Sequence, residues 1–239
     1  MKFLTQLNSG CIDICKNMLK SAENVGLSME DFYIACLDQN AFEHMKEYPG
    51  VFLYRDQPIT EYQNWSFDAQ SNFREIVRTK WKLISDIHEQ VHELCWVDTD
   101  IVFIKNPVAM ISNHKQILFQ SDSPGSALCT GFMVFNGTDE CKKLISECAD
   151  NEEEDDQIIA NIIALTKFND HVGILTPELF PNGHIYHTLN VKQNAVIVHN
   201  NHMVGIETKI NKFKEEGLWY VKSENSRDVS SQFQTQTQN

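Results

Sequence analysis

The sequence predicts an α/β domain with a mostly parallel central sheet flanked by helices, on three observations. Short apolar runs alternate with longer stretches whose apolar residues recur at helical spacing, as in βαβ units. The chain has 239 residues, 42% of them hydrophobic, which is enough for one large core. Two aspartates, Asp98 and Asp100, stand inside a strongly apolar run, LCWVDTDIVFI. Polar residues of this kind are expected where a strand of an α/β sheet ends at a ligand site.

The first third of the chain contains three predicted strands and three predicted helices. Apolar runs bounded by polar residues or turn signals predict the strands, and apolar positions on one face predict the helices. The helix at 11–25, for example, places Ile12, Cys15, Met18, Leu19 and Ala22 on one face. In chain order, we expect a strand at 1–6, a helix at 11–25, a strand at 31–38, a helix at 40–48, a strand at 51–56 and a helix at 70–93.

The remaining elements continue the alternation. The run from Leu94 predicts one buried strand through the two aspartates, ended by Asn106-Pro107. The helix at 155–166 begins with acidic residues, which suit the positive end of a helix dipole. The other predicted elements are strands at 117–122, 131–136 and 195–200 and a helix at 138–149.

Composition limits the class of partner. The formal net charge is −13, so clustered phosphate contacts of the kind nucleic acids need are not expected, although a local basic pocket for one diphosphate is compatible with it.

We expect one domain over residues 1–222. Residues 223–239, SENSRDVSSQFQTQTQN, are polar and poor in aliphatic side chains, which predicts a disordered tail.

Cysteine usage and the N-terminus predict the cellular compartment. Seven cysteines are present, an odd number without a CxxC pair, which favours free buried thiols in a reducing compartment. The start, MKFLTQLNSG, has no signal-peptide core, and no window reaches the roughly 18 apolar residues of a membrane span. The expectation is therefore a cytoplasmic or otherwise soluble intracellular protein.

Asp98 and Asp100 predict a cation site. Residues two apart in a strand point to the same face, so the two carboxylates converge, and they repel unless a proton or cation lies between them. A hard divalent ion bound by oxygen ligands keeps sites open for phosphate. The alternative from these residues alone is one aspartate capping a turn and the other facing solvent.

Several further motifs, taken in order, resemble the nucleotide-diphospho-sugar transferase family. This family has the GT-A fold, carries a DxD motif and includes plant xylosyl- and arabinosyltransferases. The resemblance covers about residues 1–220. The motifs are RTKWKLI (78–84), VDTDIVFIKNP (97–107), TGFMVF (130–135), Asp156-Gln157 with Asn161, FPNG (180–183), and a final block of His199, Asn201, Gly205, Lys209, Leu218 and Trp219.

The resemblance implies roles for residues around a metal-bound diphosphate. Asp98, Asp100 and His199 would hold Mn²⁺, with Mg²⁺ possible although an imidazole suits it less. Lys209 would reach the diphosphate as a point charge, and Gly205 would let the backbone approach the phosphates.

The resemblance also implies residues that bind the rest of the nucleotide sugar. Lys80, Asp156 and Gln157 would act at the donor sugar and the reacting face. Asp122 would lie near the donor sugar or the acceptor. The remaining donor-binding residues would be Thr5, Gln6, Asn8 and Asp38 at the nucleoside, with Thr99, Thr130, Gly131 and Asn201.

The expected reaction is transfer of a sugar from a nucleotide-diphosphate sugar, with a UDP-sugar as the expected donor, to a hydroxyl of a glycan or protein acceptor. The family's link to retention, with no carboxylate placed by sequence as a covalent nucleophile, favours front-face attack. Two alternatives stay open. One is a phosphotransferase of the haloacid dehalogenase type, which also uses a DxD strand, and the other is a non-catalytic nucleotide-sugar-binding module.

Overall fold

A computed structural model describes residues 1–54, 70–122, 127–151 and 155–221, with backbone alone for residues 70–75, 77 and 78. Strands and helices alternate along most of this part of the chain, as the sequence predicts. The strands are β1 (Lys2–Leu7), β2 (Phe32–Cys36), β3 (Val51–Leu53), β4 (Leu94–Val97), β5 (Ile101–Phe103), β6 (Ile117–Ser121), β7 (Leu128–Phe135), β8 (Val172–Ile174) and β9 (Ile197–His199). The α-helices are α1 (Ile12–Asn24), α2 (Gln39–Met45), α3 (Gln70–His88), α4 (Val108–Ile111), α5 (Asp139–Ala149), α6 (Asp156–Lys167), α7 (Gly183–Thr188) and α8 (Ile206–Glu215).

Seven strands form the central sheet, in the order β3-β2-β1-β4-β7-β6-β8. The sheet is mostly parallel, and β7 alone runs antiparallel to both of its neighbours, β4 and β6. This confirms the predicted fold class. Because β1, β2 and β4 are parallel neighbours or share a neighbour, their carboxyl ends meet at one edge, where ligands of such sheets bind.

Helices cover both faces of the sheet. One apolar cluster packs α1 and α2 against side chains such as Phe3, Phe32 and Phe132. A second cluster packs α3, α5 and α6 on the opposite face, around Trp81, Trp96 and Phe135. Phe3 and Phe32, on adjacent strands, stack with ring centroids 4.8 Å apart. The sheet is therefore the middle layer of three.

The predicted single strand through the two aspartates is wrong. The run divides into β4, in the central sheet, and β5, which pairs antiparallel with β9 in a separate two-stranded sheet. Between them, residues 98–100 form a turn in which the Ile101 N–H donates to the Asp98 carbonyl at 3.3 Å. The aspartates converge because of this turn, not because they alternate along a strand.

Other predicted elements are correct in kind and differ at their ends. The predicted helix 70–93 ends at His88, and the predicted strand 131–136 begins three residues earlier, at Leu128. The late strand 195–200 shortens to β9. Four elements were not predicted: α4, β8, α7 and α8. The end of the predicted strand 51–56 and the predicted tail 223–239 lie outside the described residues.

All seven cysteines are free, and six are buried, which confirms the prediction of unpaired buried thiols.

Within the described ranges, no helix is both long and apolar enough to cross a membrane.

Candidate active site

One cavity of about 280 Å³ lies where the central sheet meets the β5–β9 sheet. It gathers side chains from the end of β1, the β4–β5 turn, β7, the start of α6 and the segment from β9 into α8. Its lining consists of Gln6, Leu7, Asn8, Cys11, Leu37, Ile76, Lys80, Asp98, Thr99, Asp100, Cys129, Thr130, Gly131, Asp156, Gln157, His199, Asn201, Met203, Val204, Gly205, Ile206 and Lys209.

The β4–β5 turn presents both aspartates to this cavity. Asp98 is fixed from two sides: its backbone N–H donates to the Gly131 carbonyl at 2.8 Å, and its Oδ1 accepts from Trp96 Nε1 at 2.8 Å. Asp100 is almost fully buried, and its carbonyl accepts from the Asn200 N–H at 3.0 Å. The Asp98 carboxylate is therefore held by the Trp96 indole, and the Asn200 contact fixes the backbone of Asp100.

His199 arrives from the last strand. In the β5–β9 pair Ile101 lies opposite His199, so Asp100 and His199 are near neighbours across the two strands. His199 Nε2 lies 3.2 Å from Asp100 Oδ1 and 3.9 Å from Asp98 Oδ2. Gly131 makes room for the ring, because a Cβ at this position would lie 2.0 Å from His199 Cε1.

These three residues fit a divalent cation. One ligand atom from each of Asp98, Asp100 and His199 can be chosen so that all lie within 4.8 Å of one another. Two carboxylates and one imidazole suit Mn²⁺ well and Mg²⁺ less well. The three residues that the family resemblance implies as metal ligands are thus brought together in space.

The Asp100 carboxylate contacts two basic side chains, His199 and Lys209, and each contact affects the pKa of both partners. Burial alone would raise the pKa of Asp100, but Lys209 and His199 outweigh burial and hold the pKa well below its usual range. Burial lowers the pKa of His199, but the Asp100 carboxylate outweighs it and raises the pKa to about 10. Lys209 Nζ contacts Asp100 Oδ2 at 2.6 Å. A cation bound by His199 would therefore have to displace a proton from its ring.

Lys80 is a buried member of the site and not an exposed helix lysine. Its Nζ lies 2.6 Å from Asp156 Oδ2 and 3.3 Å from Asp98 Oδ1, and its side chain is 6% exposed. Burial works against its charge, but the carboxylates of Asp156 and Asp98 outweigh it and raise the pKa of Lys80. Lys80 thus links the α6 carboxylate to the DxD turn.

The start of α6 closes one wall. Asp156 Oδ2 also accepts from the Thr130 hydroxyl at 2.8 Å, and Gln157 Oε1 accepts from the Thr130 N–H at 3.3 Å. One turn later, the Asn161 side chain bonds both the N–H and the carbonyl of Leu128. The Asp156-Gln157 pair and Asn161 therefore fasten α6 to β7, with Asp156 and Gln157 facing the cavity.

Two polar side chains that line the cavity at the β1 end, Gln6 and Asn8, have an atom without a hydrogen-bond partner among the described residues. Gln6 Nε2 donates to the Ile76 carbonyl at 2.8 Å, which leaves Gln6 Oε1 without a partner among the described residues. Asn8 Oδ1 accepts from the Gly10 N–H at 3.2 Å, which leaves Asn8 Nδ2 without a partner there. One free acceptor and one free donor therefore line the cavity together.

Two other predicted nucleoside contacts, Thr5 and Asp38, do not line the cavity. Thr5 is fully buried within β1. Asp38 caps α2: its Oδ1 accepts from the Ala41 N–H and its Oδ2 from the Ser9 N–H, both at 2.7 Å. The carboxylate that sequence reasoning read as a ligand holds two backbone segments together.

The segment after β9 forms the remaining wall. Gly205 has φ +89°, in the left-handed region that favours glycine, and directly precedes α8. Among the residues that the structure describes, no side chain caps the α8 N-terminus. Asn201 lines the cavity and donates from Nδ2 to Asp122 Oδ1 at 3.3 Å, whereas Asp122 itself stays outside the lining.

Sequence reasoning missed several lining residues. Cys11, Leu37, Ile76, Cys129, Met203, Val204 and Ile206 all border the cavity. Leu37, Ile76 and the other apolar residues have no distinguishing sequence signal, because they look like core residues. Burial raises the pKa of the Cys11 thiol to about 12, so this cysteine is neutral near pH 7.

The fold and the site together define the class. A mostly parallel sheet with an Asp-x-Asp turn at its carboxyl edge, completed by a histidine from a late strand, is the arrangement of GT-A glycosyltransferases. The profile of the nucleotide-diphospho-sugar transferase family matches residues 27–213, and the chain belongs to this family.

Similarity to individual proteins agrees with this assignment. The chain is 24% identical over 296 aligned positions to a UDP-galactose:fucoside alpha-3-galactosyltransferase of Dictyostelium discoideum, covering 100% of this chain and 46% of that protein. It is 24% identical to a UDP-D-xylose:L-fucose alpha-1,3-D-xylosyltransferase of Arabidopsis thaliana, covering 92% of this chain and 67% of the relative. The chain thus spans less than half the length of the first of these relatives.

The fold resembles that of the galactosyltransferase LgtC, solved in complex with donor and acceptor sugar analogs. The TM-score is 0.61 at 12% identity, with 94% of this chain and 98% of LgtC covered. At this identity the likeness concerns the fold.

Proposed function

We propose that this protein is a metal-dependent glycosyltransferase that moves a sugar from a UDP-sugar to a hydroxyl of a fucoside, with retention of anomeric configuration. The observation that carries the proposal is the convergence of Asp98, Asp100 and His199 in the cavity that also holds Lys80 and Lys209. The family assignment supports nucleotide-sugar chemistry over a haloacid dehalogenase reaction.

The diphosphate is assigned to the end of the cavity between the DxD turn and α8. Asp98, Asp100 and His199 would hold Mn²⁺, which would neutralise charge on the departing diphosphate. Lys209 adds a positive side chain beside Asp100. The uncapped α8 N-terminus, led by Gly205, adds backbone N–H groups and the positive end of the helix dipole.

Uracil is assigned to the β1 end. Gln6 Oε1 is a free acceptor and Asn8 Nδ2 a free donor, and the backbone partners of both side chains fix which atom is free. The edge of uracil offers an N–H donor beside carbonyl acceptors, which complements this pair. The printed names of the two curated relatives also specify UDP-sugars.

The proposal of a fucoside acceptor is based on the printed activities of two relatives. One acts on a fucoside and the other on L-fucose, each making an alpha linkage to the 3-position. UDP-galactose and UDP-xylose carry α-linked sugars, so an alpha product means retention. In the proposed step the acceptor oxygen bonds to C1 on the face that the phosphate leaves. The C1–phosphate bond breaks, and the acceptor proton goes to the leaving phosphate oxygen.

The carboxylates of the cavity support this front-face route. Asp156 Oδ2 already contacts Lys80 and the Thr130 hydroxyl. Asp98 and Asp100 are committed to the cation site. The role proposed for Asp156 and Gln157 is to position the donor sugar, with Lys80 balancing the Asp156 charge.

The test is a screen of UDP-, GDP- and CMP-sugars with Mn²⁺, Mg²⁺ or EDTA, using a fucoside and a matched galactoside as acceptors. We expect Mn²⁺-dependent release of UDP that rises with the fucoside, and an alpha linkage in the product by NMR. Asp100→Ala and His199→Ala should lose metal-dependent turnover while melting cooperatively, whereas Asp170→Ala, at an exposed aspartate, should retain it.

Each part of the proposal has its own contrary result. Near-normal turnover in Asp100→Ala would refute the metal assignment. A beta linkage would refute retention, and preference for the galactoside would refute the acceptor. Nucleotide-sugar binding without transfer or hydrolysis would indicate a binding module.

A further inference from the structure

Gln120, which no sequence motif singled out, is fully buried and contacts His199 of the Asp98-Asp100-His199 group. It belongs to β6 and does not line the cavity. Its Oε1 lies 2.7 Å from His199 Nδ1, and its Nε2 lies 3.1 Å from the Phe180 carbonyl and 3.0 Å from the Pro181 carbonyl. Every polar atom of the Gln120 side chain therefore has a partner.

The two carbonyl groups fix the orientation of the Gln120 amide. A carbonyl oxygen only accepts, so the side-chain atom facing Phe180 and Pro181 must be the NH₂ group. The reversed amide would bring its oxygen against two carbonyl oxygens in a buried site, at the cost of unpaired polar groups. Gln120 Oε1 must therefore face His199.

This orientation decides which ring nitrogen of His199 carries a hydrogen. Because Gln120 Oε1 only accepts, Nδ1 must be the donor, whatever the state of Nε2. Nε2 is then the nitrogen that faces Asp100 Oδ1 at 3.2 Å. A metal-binding histidine commonly has this arrangement, with its second nitrogen donating to a fixed acceptor.

An irregularity in the β6–β7 pairing sets the direction of the Gln120 side chain. The pairing of β6 with β7 shifts register between Phe119 and Gln120, so that Phe119 lies opposite Met133 and Gln120 opposite Cys129. Such bulges re-aim a side chain relative to the regular alternation. On the other side, Gly131 leaves space for the His199 ring.

We infer that Gln120 is a positioning residue that fixes the ring and the tautomer of His199, so that Nε2 is presented to the divalent cation. The inference rests on the metal site of the proposed function. The chain from the Phe180 and Pro181 carbonyls through Gln120 to His199 forms the buried support of that site.

The test compares Gln120→Met with the unaltered protein and with Gln116→Met. Methionine has a similar length but removes both hydrogen-bonding groups. Gln116 is a matched control, because it is exposed and donates to a single carbonyl, that of Val172. Mn²⁺ binding is measured from the EPR signal of free Mn²⁺. The His199 Nδ1–H is followed by ¹⁵N NMR of Mg²⁺-loaded protein, assigned by its absence in His199→Ala.

We expect Gln120→Met to weaken Mn²⁺ binding roughly 10- to 100-fold and to abolish the protected Nδ1–H signal. Gln116→Met should change neither. Gln120→Glu retains an acceptor for Nδ1 and, as the neutral acid, can donate one O–H to the Phe180 or Pro181 carbonyl, so its Mn²⁺ affinity should lie between those of Gln120→Met and the unaltered protein. It also serves if Gln120→Met does not melt cooperatively.

Three results would overturn the inference. Unchanged Mn²⁺ affinity in Gln120→Met would show that the ring needs no such support. Equal losses in Gln120→Met and Gln120→Glu would show that the acceptor is not what matters. Absence of Mn²⁺ binding by the unaltered protein would remove the metal site itself, and with it both this inference and the metal-dependent function.

Discussion

The buried ion pair between α3 and α6 makes a quantitative prediction about stability. Lys80→Met leaves the 10% exposed Asp156 without its cation and removes the second contact, to Asp98, which is 30% exposed. Removing one partner of a buried pair typically costs ~3–5 kcal/mol. Asp156 keeps the Thr130 hydroxyl and Asp98 keeps Trp96 Nε1, so we expect the lower end, about 3 kcal/mol.

Urea unfolding followed by tryptophan fluorescence, without nucleotide or metal, measures this loss. For a domain of this size, about 3 kcal/mol corresponds to a melting temperature lower by roughly 6–12 °C. Lys143→Met, at an exposed lysine of α5, should change stability by less than about 0.5 kcal/mol.

The double variant Lys80→Met/Asp156→Asn tests the reasoning directly. It removes both members of the pair and leaves no unpaired buried charge on α6, so it should recover more than half of the loss. A double variant no more stable than Lys80→Met would refute the argument from the uncompensated carboxylate. So would a Lys80→Met cost below about 1 kcal/mol.

Two further predictions concern residues outside the cavity. Asp38→Ala removes the carboxylate that accepts from the Ala41 and Ser9 N–H groups, and should lower the unfolding free energy by about 1–2 kcal/mol. The affinity for UDP, measured by calorimetry, should not change. Weaker UDP binding by a folded Asp38→Ala protein would show that Asp38 binds the ligand. Burial lowers the pKa of His88, so the unfolded chain takes up the proton first as pH falls. The unfolding free energy should therefore drop from about pH 7 through about 6.5 and level off below the lowered native pKa. His88→Gln should reduce this drop in denaturant titrations at several pH values, and an identical pH dependence would contradict it.

The α/β class follows from the sequence because periodicity reports which faces are buried. Short strands remain ambiguous, however. The run Leu94–Ile104 is apolar on both sides of the aspartates, and nothing in its periodicity shows that Val97 and Ile101 belong to different sheets. Pairing of β5 with β9 decides this, and such long-range pairing is invisible to local patterns.

Some site residues could be predicted from sequence motifs, whereas others depend on contacts between distant parts of the chain. The DxD pair, His199, Lys80 and Asp156 were named from ordered motifs, and the cavity gathers all of them. Asp38 caps α2 and does not line the cavity, and an aspartate that caps a helix looks like one that binds a ligand in sequence, so its predicted contact with the nucleoside stays a prediction. Gln120 was missed because its role depends on the carbonyls of Phe180 and Pro181, 60 and 61 residues away.

The β5–β9 sheet joins two parts of the chain that are synthesised at different times. Its strands carry Asp100 and His199 to the same point, yet 99 residues separate them in the chain, so at about 5–20 residues per second the histidine emerges from the ribosome roughly 5–20 s later. Until then the Asp98-Asp100 turn has neither its imidazole nor Lys209. The proposed metal site would therefore be complete only when β9 pairs with β5. Metal binding at the proposed site would thus report that the β5–β9 sheet, and not only the first half of the chain, has formed.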